Sequence, residues 1–289
     1  MIGFNSLVVL VTPKGKRYVK KIIENQDWHS NDGTLLASDI AKLEYGDEII
    51  TNKGIAIHLL EATLTDILSS IKRQTQIIYD KDIAYICLKL GIGENRTILE
   101  AGCGSGGLTL AMSWFAGQTG KIISHDTREE FIKLTRRNLD WAGVGKNVSL
   151  HHKDIIDGFA EKNADAIFLD VRTPWLYLDQ AHDSLKAGGT LGFLLPTTDQ
   201  INALLLALEK KDFSEIEISE IFIRKWKPIA DRLRPTDRMI AHTGFLIFCR
   251  KQKTTQAFLK QKPHGTRERK QEAALQSRLF EDNTESDLI

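Results

Sequence analysis

Residues 100–107 read Glu-Ala-Gly-Cys-Gly-Ser-Gly-Gly, and they stand between an apolar run, Thr97–Glu100, and an apolar stretch with helical character, Leu108–Phe115. A strand, a glycine-rich turn and a helix in this order bring backbone N–H groups close to a bound ligand. Glycines allow a tight turn and leave room for that ligand. The stretch therefore predicts the first strand–turn–helix unit of a Rossmann-like α/β sheet, with a ligand at the turn.

The chain after residue 96 alternates apolar runs of strand length with runs of helical spacing. Helices are predicted after each early strand, one of them opened by a capping box of Thr127 and Glu130 and another over Trp175–Lys186, ended by Gly188-Gly189. Further strands are predicted at Lys121–Ser124, Val148–His151, Ala166–Leu169, Thr190–Leu195, Ile216–Ile223 and Thr243–Arg250. This alternation predicts a doubly wound, mainly parallel sheet with an antiparallel last strand.

The stretches on either side of this region have a different character. Residues 1–62 hold short apolar runs separated by turn signals such as Asn52-Lys53-Gly54, which predict a small β-barrel-like N-terminal domain. Residues 63–252 form the α/β domain, with a helical lead-in. Residues 253–289 are polar and basic, and we expect this tail to be partly disordered.

Composition excludes several classes of protein. The chain has 289 residues and a net charge of only +1, so bulk charge does not indicate a nucleic-acid binder. Its three cysteines are far apart, which predicts no disulfide framework and favours a reducing, cytoplasmic compartment. The histidines lack zinc-ligand spacing, so no metal site is expected. No apolar run reaches the ~20 residues of a membrane span, and no signal peptide is apparent.

The glycine spacing alone does not name the ligand, because Gly102, Gly104 and Gly107 also satisfy the dinucleotide fingerprint. Three features favour S-adenosylmethionine. Glu100 ends the first strand, where it can fix the loop and face the cationic methionine end. The loop begins near residue 100 rather than near the N-terminus. Each following strand ends in a carboxylate. Contacts to this cofactor are expected from Glu100, Gly102, Gly104, Ser105, Gly106 and Gly107.

Three aspartates follow successive strands at the edge where such sheets bind ligands. Asp126 is placed to accept hydrogen bonds from both ribose hydroxyls, although an NAD enzyme carries an acid there too. Asp154 suits the exocyclic amine of a bound adenine. Asp170 faces the crevice outside the carboxyl ends of the strands, where it too is expected to contact the cofactor. An NAD-dependent oxidoreductase therefore stays open as an alternative at this point.

Five segments resemble one known family, the tRNA (adenine-58-N1)-methyltransferases, which are class I enzymes that use S-adenosylmethionine. The resemblance runs from the N-terminal β-rich part to about residue 250. The segments are residues 73–82, the cofactor loop 100–109, Phe168-Leu169-Asp170 with Pro174-Trp175, Arg232-Leu233-Arg234-Pro235, and His242-Thr243-Gly244-Phe245-Leu246.

The resemblance implies methylation of adenine N1 in the T-loop of tRNA, with Asp170 as the catalytic carboxylate. Tyr79 would line the base pocket, and Gln76 would touch the cofactor region. The assembly implied is a homotetramer. RNA contacts are expected from Arg172, Arg232, Arg234 and His242, and from the basic stretches Lys14–Lys21, Arg224–Arg238 and Arg250–Lys270.

The sequence also departs from the family's pattern. Arg172 stands where the family usually has a proline, and His125-Asp126 replaces an aromatic residue followed by glutamate. The arginine adds a cation beside Asp170, which leaves the geometry of the base pocket open. Two alternatives remain beside the main hypothesis: a non-catalytic RNA-binding subunit of such an enzyme, and a protein isoaspartyl-type methyltransferase.

Overall fold

The computed structural model describes residues 1–74 and 76–253 of the chain. Met1–Gln252 form one compact unit with two main sheets. The expectations for the tail from residue 254 onward, including most of the basic stretch Arg250–Lys270, lie outside the described residues. Each helix in the described part of the chain is too short or too polar to span a lipid bilayer.

The N-terminal part is built from short strands. They are β1 (Leu7–Val11), β2 (Arg17–Lys21), β3 (Trp28–Ser30), β4 (Gly33–Leu35), β5 (Glu48–Ile50) and β6 (Ala56–Glu61), with one helical turn, α1 (Ala37–Ile40), after β4. An antiparallel sheet has the order β2-β1-β6-β5, and β3 pairs with β4 as a hairpin that the sequence had not indicated. The β-rich character predicted for this part of the chain is confirmed. The domain boundary after residue 62 stays a prediction, because Val9 and Ala62 pack in the core shared with the following helices.

The remaining elements form the α/β part of the chain. The helices are α2 (Leu64–Ser70), α3 (Asp80–Leu90), α4 (Gly107–Ala116), α5 (Glu129–Ala142), α6 (Leu178–Ser184) and α7 (Thr198–Leu208). The strands are β7 (Thr97–Ala101), β8 (Lys121–Asp126), β9 (Val148–His152), β10 (Ala164–Leu169), β11 (Leu185–Leu195), β12 (Phe213–Ser219), β13 (Trp226–Lys227), β14 (Arg234–Pro235) and β15 (Phe245–Lys251). Short 3-10 turns occupy Ile155–Asp157 and Pro174–Tyr177.

The central sheet has the order β12-β15-β11-β10-β7-β8-β9. Its neighbours pair in parallel, except that β15 runs antiparallel to both β11 and β12. One face is covered by α2, α3, α4 and α5, and the other by α6 and α7. The prediction of a doubly wound, mainly parallel sheet with an antiparallel last strand is confirmed.

Three local predictions were wrong: a capping box at Thr127, the extent of one helix, and the strand predicted over Ile216–Ile223, since β12 spans Phe213–Ser219. Helix α5 begins at Glu129 with Arg128 as its N-cap residue and no side-chain cap, and the Asp126 carboxylate accepts from the N–H of Arg128 at 3.0 Å in the turn before the helix. A capping box does occur, but at the start of α2, between Thr63 and Asp66.

The helix predicted over Trp175–Lys186 ends earlier than its pattern suggests. It is a 3-10 turn followed by α6, and β11 already starts at Leu185, before the glycine pair. Leu185 is buried and pairs with Ala164 of β10, so pairing with a distant strand outweighs the local helical spacing.

Candidate active site

The glycine loop between β7 and α4 is wedged between the ends of two neighbouring strands. The N–H of Gly102 donates to the carbonyl of His125 at the end of β8 at 2.8 Å, and the N–H of Asp170 donates to Ala101 at 2.9 Å. Gly102 has φ +89°, and a Cβ placed on it would lie 2.1 Å from the Asp170 carbonyl oxygen. Only glycine fits here, because both the backbone conformation and the contact exclude a side chain.

The far side of the loop is fixed by side chains of α5. The Asn138 amide donates to the Ser105 carbonyl at 2.8 Å and to the Lys72 carbonyl at 2.9 Å. The Thr135 hydroxyl donates to the Gly104 carbonyl at 3.2 Å. The Ser105 hydroxyl accepts from the N–H of Gln74 at 3.1 Å. The loop is therefore held in shape by its surroundings before any ligand binds, which is preorganisation for binding.

Glu100 lies under the loop and is 1% exposed. Its Oε2 accepts hydrogen bonds from the Thr109 and Ser124 hydroxyls, each at 2.6 Å. Burial raises the pKa of Glu100 to about 7, against the lowering effect of those two bonds, and the Asp170 and Asp126 carboxylates add to the rise. The Glu100 carboxylate therefore supports the glycine loop from below and also lines the recess beside it.

Asp126 and Asp170 flank the loop from opposite sides. Asp126 is buried, and its carboxylate accepts from the N–H of Gly104 at 3.1 Å and from the N–H of Arg128 at 3.0 Å. Burial raises the pKa of Asp170 to about 7, and repulsion from Asp126 contributes to the rise. Three carboxylates therefore gather around one glycine loop.

Two recesses open on either side of the loop, and they share Gly102 and Asp170 as lining residues. The first recess lies on the α4 side and is lined by Gln76, Ile77, Ile78, Glu100, Gly102, Cys103, Gly104, Ser105, Gly107, Leu108 and Asp170. The second has a volume of about 350 Å³ and is lined by Ala101, Gly102, His125, Asp126, Thr127, Arg128, Lys153, Asp154, Ile155, Asp170, Val171, Arg172, Thr173 and Tyr177. Asp170 therefore stands where the two meet.

Most of the predicted cofactor residues come together here, but not all predicted residues do. Gly106 lies behind the loop against Thr135 and lines neither recess. Tyr79 lines a third recess of about 310 Å³, which shares Gln76, Ile77 and Ile78 with the first. The predicted base pocket thus adjoins the predicted cofactor site.

The predicted RNA-binding residues are distributed unevenly. Arg172 is exposed on the rim of the second recess. Arg234 is exposed in β14, and Arg232 is exposed two residues before it. His242 is exposed at the carboxyl edge of the sheet, where its ring contacts the Glu220 carboxylate at 2.7 Å and the Pro196 carbonyl at 3.2 Å. Hydrogen bonding to Glu220 raises the pKa of His242. Arg232, Arg234 and His242 line neither loop recess.

Sequence reasoning missed several residues that line the second recess. His125, Arg128, Lys153 and Tyr177 lie beside the strand-end acids. His125 and Lys153 directly precede Asp126 and Asp154, and Arg128 follows Asp126 by two residues. Closeness in the sequence to an acid at a strand end was therefore the signal that could have found them. The Arg128 guanidinium lies 3.7 Å from the centroid of the Phe131 ring, which holds it at the rim.

The charge of the site suits a cationic ligand. In the described ranges, neither Glu100 nor Asp170 has an ion-pair partner, although both are close to Asp126. A sulfonium or ammonium group beside them would offset this repulsion. The loop and its carboxylates therefore fit S-adenosylmethionine, whereas a pyrophosphate would meet like charge. Within residues 1–74 and 76–253, no His, Cys, Asp or Glu side chains group into a candidate metal site.

The raised pKa values of Glu100 and Asp170 predict that the ligand-free protein loses stability as the pH rises from about 4 to about 7. In this window the folded chain holds protons that the unfolded chain has released, because an ordinary carboxyl group has a pKa near 4. Urea unfolding at pH 5 and pH 8 tests this by comparing the wild type with Asp170→Asn. The free energy of unfolding should shift in favour of the variant as the pH rises, and a pH-independent difference would contradict the prediction.

Comparison with known proteins agrees with this geometry. Residues 56–237 match the family model described as the tRNA methyltransferase complex GCD14 subunit. The chain is 33% identical to the tRNA (adenine(57)-N(1)/adenine(58)-N(1))-methyltransferase TrmI of Methanocaldococcus jannaschii, over 84% of this chain and 94% of that protein. It is 27% identical to the tRNA (adenine(58)-N(1))-methyltransferase TrmI of Thermus thermophilus, over 86% and 98%.

Two solved structures are similar over most of their length. The tRNA (m1A58) methyltransferase TrmI of Aquifex aeolicus has a TM-score of 0.76 and 35% identity, covering 87% of this chain and 99% of that one. A SAM-dependent O-methyltransferase of Thermotoga maritima has a TM-score of 0.82 and 34% identity, covering 87% and 95%. Because the family model spans more than half of the chain, and the Methanocaldococcus jannaschii relative is 33% identical over 84% of it, this chain belongs to the family of the tRNA methyltransferase complex GCD14 subunit.

Proposed function

We propose that the chain transfers the methyl group of S-adenosylmethionine to N1 of adenine 58 in the T-loop of tRNA. The observation that carries the proposal is the position of Asp170, which lines both recesses beside a preorganised glycine loop. The relatives whose names specify N1 methylation of tRNA adenine support the same substrate.

The cofactor contacts follow from the recesses. The backbone of Gly102, Gly104, Ser105 and Gly107, with Gly106 shaping the turn, would surround the methionine end, and Gln76 would cover it. Glu100 and Asp170 supply negative charge opposite its cationic groups. On the other side, Asp126 suits the ribose hydroxyls and Asp154 the exocyclic amine of the adenine. When bound, the cofactor supplies a methyl group already activated by the sulfonium charge.

The work left to the protein is positioning and charge stabilisation. Adenine N1 carries an in-plane lone pair and needs no deprotonation before it attacks. Methylation makes the ring cationic, and we assign Asp170 to accept a hydrogen bond from the N6 amine and stabilise that charge. Tyr79 offers a stacking surface for the base once it has left its own stack. Correct alignment can contribute roughly 7–11 kcal/mol to lowering the barrier.

We further propose that Arg172, Arg232, Arg234 and His242 contact the RNA. The RNA contact is best supported for Arg172, because its side chain is exposed beside Asp170. In the described part of the chain, Arg172 has no ion-pair partner. A cation two residues after Asp170 can bind a phosphate that flanks the target base. Arg172, which stands where the family usually has a proline, then adds affinity for RNA and leaves the Asp170 carboxylate in place.

Replacing Arg172 by Ala is expected to raise the KM for tRNA and leave the Kd for S-adenosylmethionine unchanged. If the arginine binds a phosphate, the slope of log Kd for tRNA against log salt should fall by about 1. Arg137→Ala is the matched control, since Arg137 is exposed on α5 away from both recesses. An unchanged KM in Arg172→Ala, or an equal change in the control, would remove Arg172 from the RNA interface.

Assembly into a homotetramer and a cytoplasmic location are also proposed. The segment after β12 exposes large apolar side chains, which a contact with other subunits would bury. They are Phe222, Ile223, Trp226, Ile229, Leu233, Met239 and Ile240. The cysteines Cys87, Cys103 and Cys249 are free and buried, which agrees with a reducing compartment. Light scattering of the purified chain tests the assembly.

The activity test uses an unmodified tRNA transcript, labelled S-adenosylmethionine and nucleoside analysis of the product. We expect 1-methyladenosine, and none from a transcript with uridine at position 58 and no adenine at position 57. Because one relative also acts on adenine 57, a transcript with adenine at both positions reports whether the neighbour is modified. Binding of cofactor without any turnover would favour the non-catalytic subunit, and labelling of an isoaspartyl peptide would favour the protein methyltransferase.

A further inference from the structure

The first turn of α3 contains a buried ion pair. Lys81 is 9% exposed and Asp82 is 1% exposed, and the Lys81 ammonium donates to both carboxylate oxygens at 2.8 and 3.0 Å. Removing two charges from water costs more than such a pair commonly returns. A lysine in the first helical turn also opposes the helix dipole. The pair is therefore poorly explained as a source of stability.

Thr243, two residues before β15, bonds to both members of this pair. Its hydroxyl accepts a hydrogen bond from the Lys81 ammonium and donates one to the Asp82 carboxylate at 2.6 Å. Lys81, Asp82 and Thr243 thus close a ring of hydrogen bonds, here called the Lys81–Thr243 ring. Thr243 is partly buried and lies 161 residues after Asp82 in the chain. The ring joins two parts of the fold that no local pattern connects.

One side of the ring carries Tyr79. Tyr79 is the residue before α3, and its carbonyl accepts from the N–H groups of Asp82 at 3.0 Å and Ile83 at 2.9 Å. The Ile83 side chain reaches the glycine loop, because its Cδ1 would lie 4.0 Å from a Cβ placed on Gly107. Any movement of this helical turn therefore moves Tyr79 relative to the loop.

The other side of the ring is attached to the sheet that carries Asp170. Gly244, next to Thr243, packs so closely on Leu194 of β11 that a Cβ on it would lie 2.7 Å from the leucine Cδ1. Strand β11 pairs in parallel with β10, with Phe193 opposite Leu169. Asp170 follows Leu169 directly. The ring is thus a short mechanical link between Tyr79 and the end of β10.

We propose that Lys81, Asp82 and Thr243 are positioning residues that hold Tyr79, which lines the third recess, in register with Asp170, which lines the adjoining first recess. This inference rests on the proposed methyl transfer to adenine and adds residues that touch neither substrate. A base stacked on a displaced tyrosine would present N1 at the wrong angle to the methyl group. Misplacement by 1 Å can cost about 100-fold in rate. Loss of the buried pair should therefore lower kcat.

The test compares Thr243→Val with Thr243→Ser. Valine keeps the shape but can neither accept from Lys81 nor donate to Asp82, whereas serine can do both. We expect kcat of Thr243→Val to fall on the order of 10- to 100-fold while the Kd for S-adenosylmethionine stays the same. Thr243→Ser should keep kcat close to that of the wild type. Thr34→Val is the matched control, because it removes a hydroxyl that contacts His29 at 3.0 Å in the N-terminal hairpin.

A second variant separates positioning from stability. Lys81→Met combined with Asp82→Leu replaces the ion pair by apolar side chains, a change that often leaves stability equal or higher. We expect its unfolding temperature to be maintained and its kcat, per bound cofactor, to be reduced. If Thr243→Val or this double variant keeps the wild-type kcat, the positioning role is overturned. If the wild type itself forms no 1-methyladenosine, the proposed function fails instead, and this inference with it.

Discussion

Asp170→Ala is expected to lower kcat for methyl transfer to tRNA far more than it weakens the Kd for S-adenosylmethionine. In the proposed mechanism, the carboxylate is the group that meets the positive charge as it forms on the adenine ring. Loss of one preorganised electrostatic contact of this kind costs on the order of 10²- to 10³-fold in kcat. Single-turnover kinetics with saturating cofactor measure this directly, because they separate chemistry from product release.

Asp170→Asn refines the same experiment. The amide keeps the size of the side chain, but it cannot hold a negative charge, so kcat should stay low. Asp157→Asn is the matched control, because Asp157 is exposed in the turn after β9 and lines neither recess. Near-normal turnover in either Asp170 variant would contradict the assignment. A large loss of cofactor affinity would instead make Asp170 mainly a cofactor-binding residue.

Gly102→Ala is expected to prevent cofactor binding. The new Cβ would lie 2.1 Å from the carbonyl oxygen of Asp170, a backbone atom that can move only if the end of β10 moves. The φ of +89° adds strain for any residue with a side chain. Both effects displace the loop N–H groups and the Asp170 carboxylate together. Isothermal titration with S-adenosylmethionine should detect no binding in the range where the wild type saturates.

Gly143→Ala separates the two causes. Gly143 ends α5 with φ +74°, but a Cβ on it would meet no atom within 4 Å. This control should therefore lose only the ~1–2 kcal/mol of stability that a left-handed conformation costs, and it should bind the cofactor normally. If Gly102→Ala binds the cofactor as Gly143→Ala does, the close contact with Asp170 does not control the site.

The parts of the fold that were predicted well are those with a contiguous signal. The glycine loop, the strands before Asp126 and Asp170, and the alternation of strand and helix all depend on patterns within about 15 residues. The same holds for the carboxylates at the strand ends, because parallel strands bring their carboxyl ends to one edge. Local patterns therefore sufficed to locate the glycine loop and the acids at the strand ends, and the family resemblance singled out Asp170 among those acids.

The predictions that failed did so for different physical reasons. Thr127 and Glu130 have the spacing of a capping box, yet the Asp126 carboxylate takes the N–H of Arg128. Strand β11 begins three residues before the glycine pair because Leu185 pairs with β10. Asp126 and Arg128 are only two residues apart, so the first failure is a choice between two local patterns, whereas at Leu185 a tertiary strand pairing outweighed the local helical preference.

The amino-acid sequence by itself determined the fold class, the glycine loop, the acids at the strand ends and the family resemblance, since each is written in neighbouring residues. Only the tertiary structure placed Asp170 between two recesses, raised its pKa to about 7 and joined Lys81 and Asp82 to Thr243. The physical reason is that burial and charge–charge distances depend on strand order. The order β10-β7-β8 sets β7 between the strands of Asp170 and Asp126, and no local spacing encodes it.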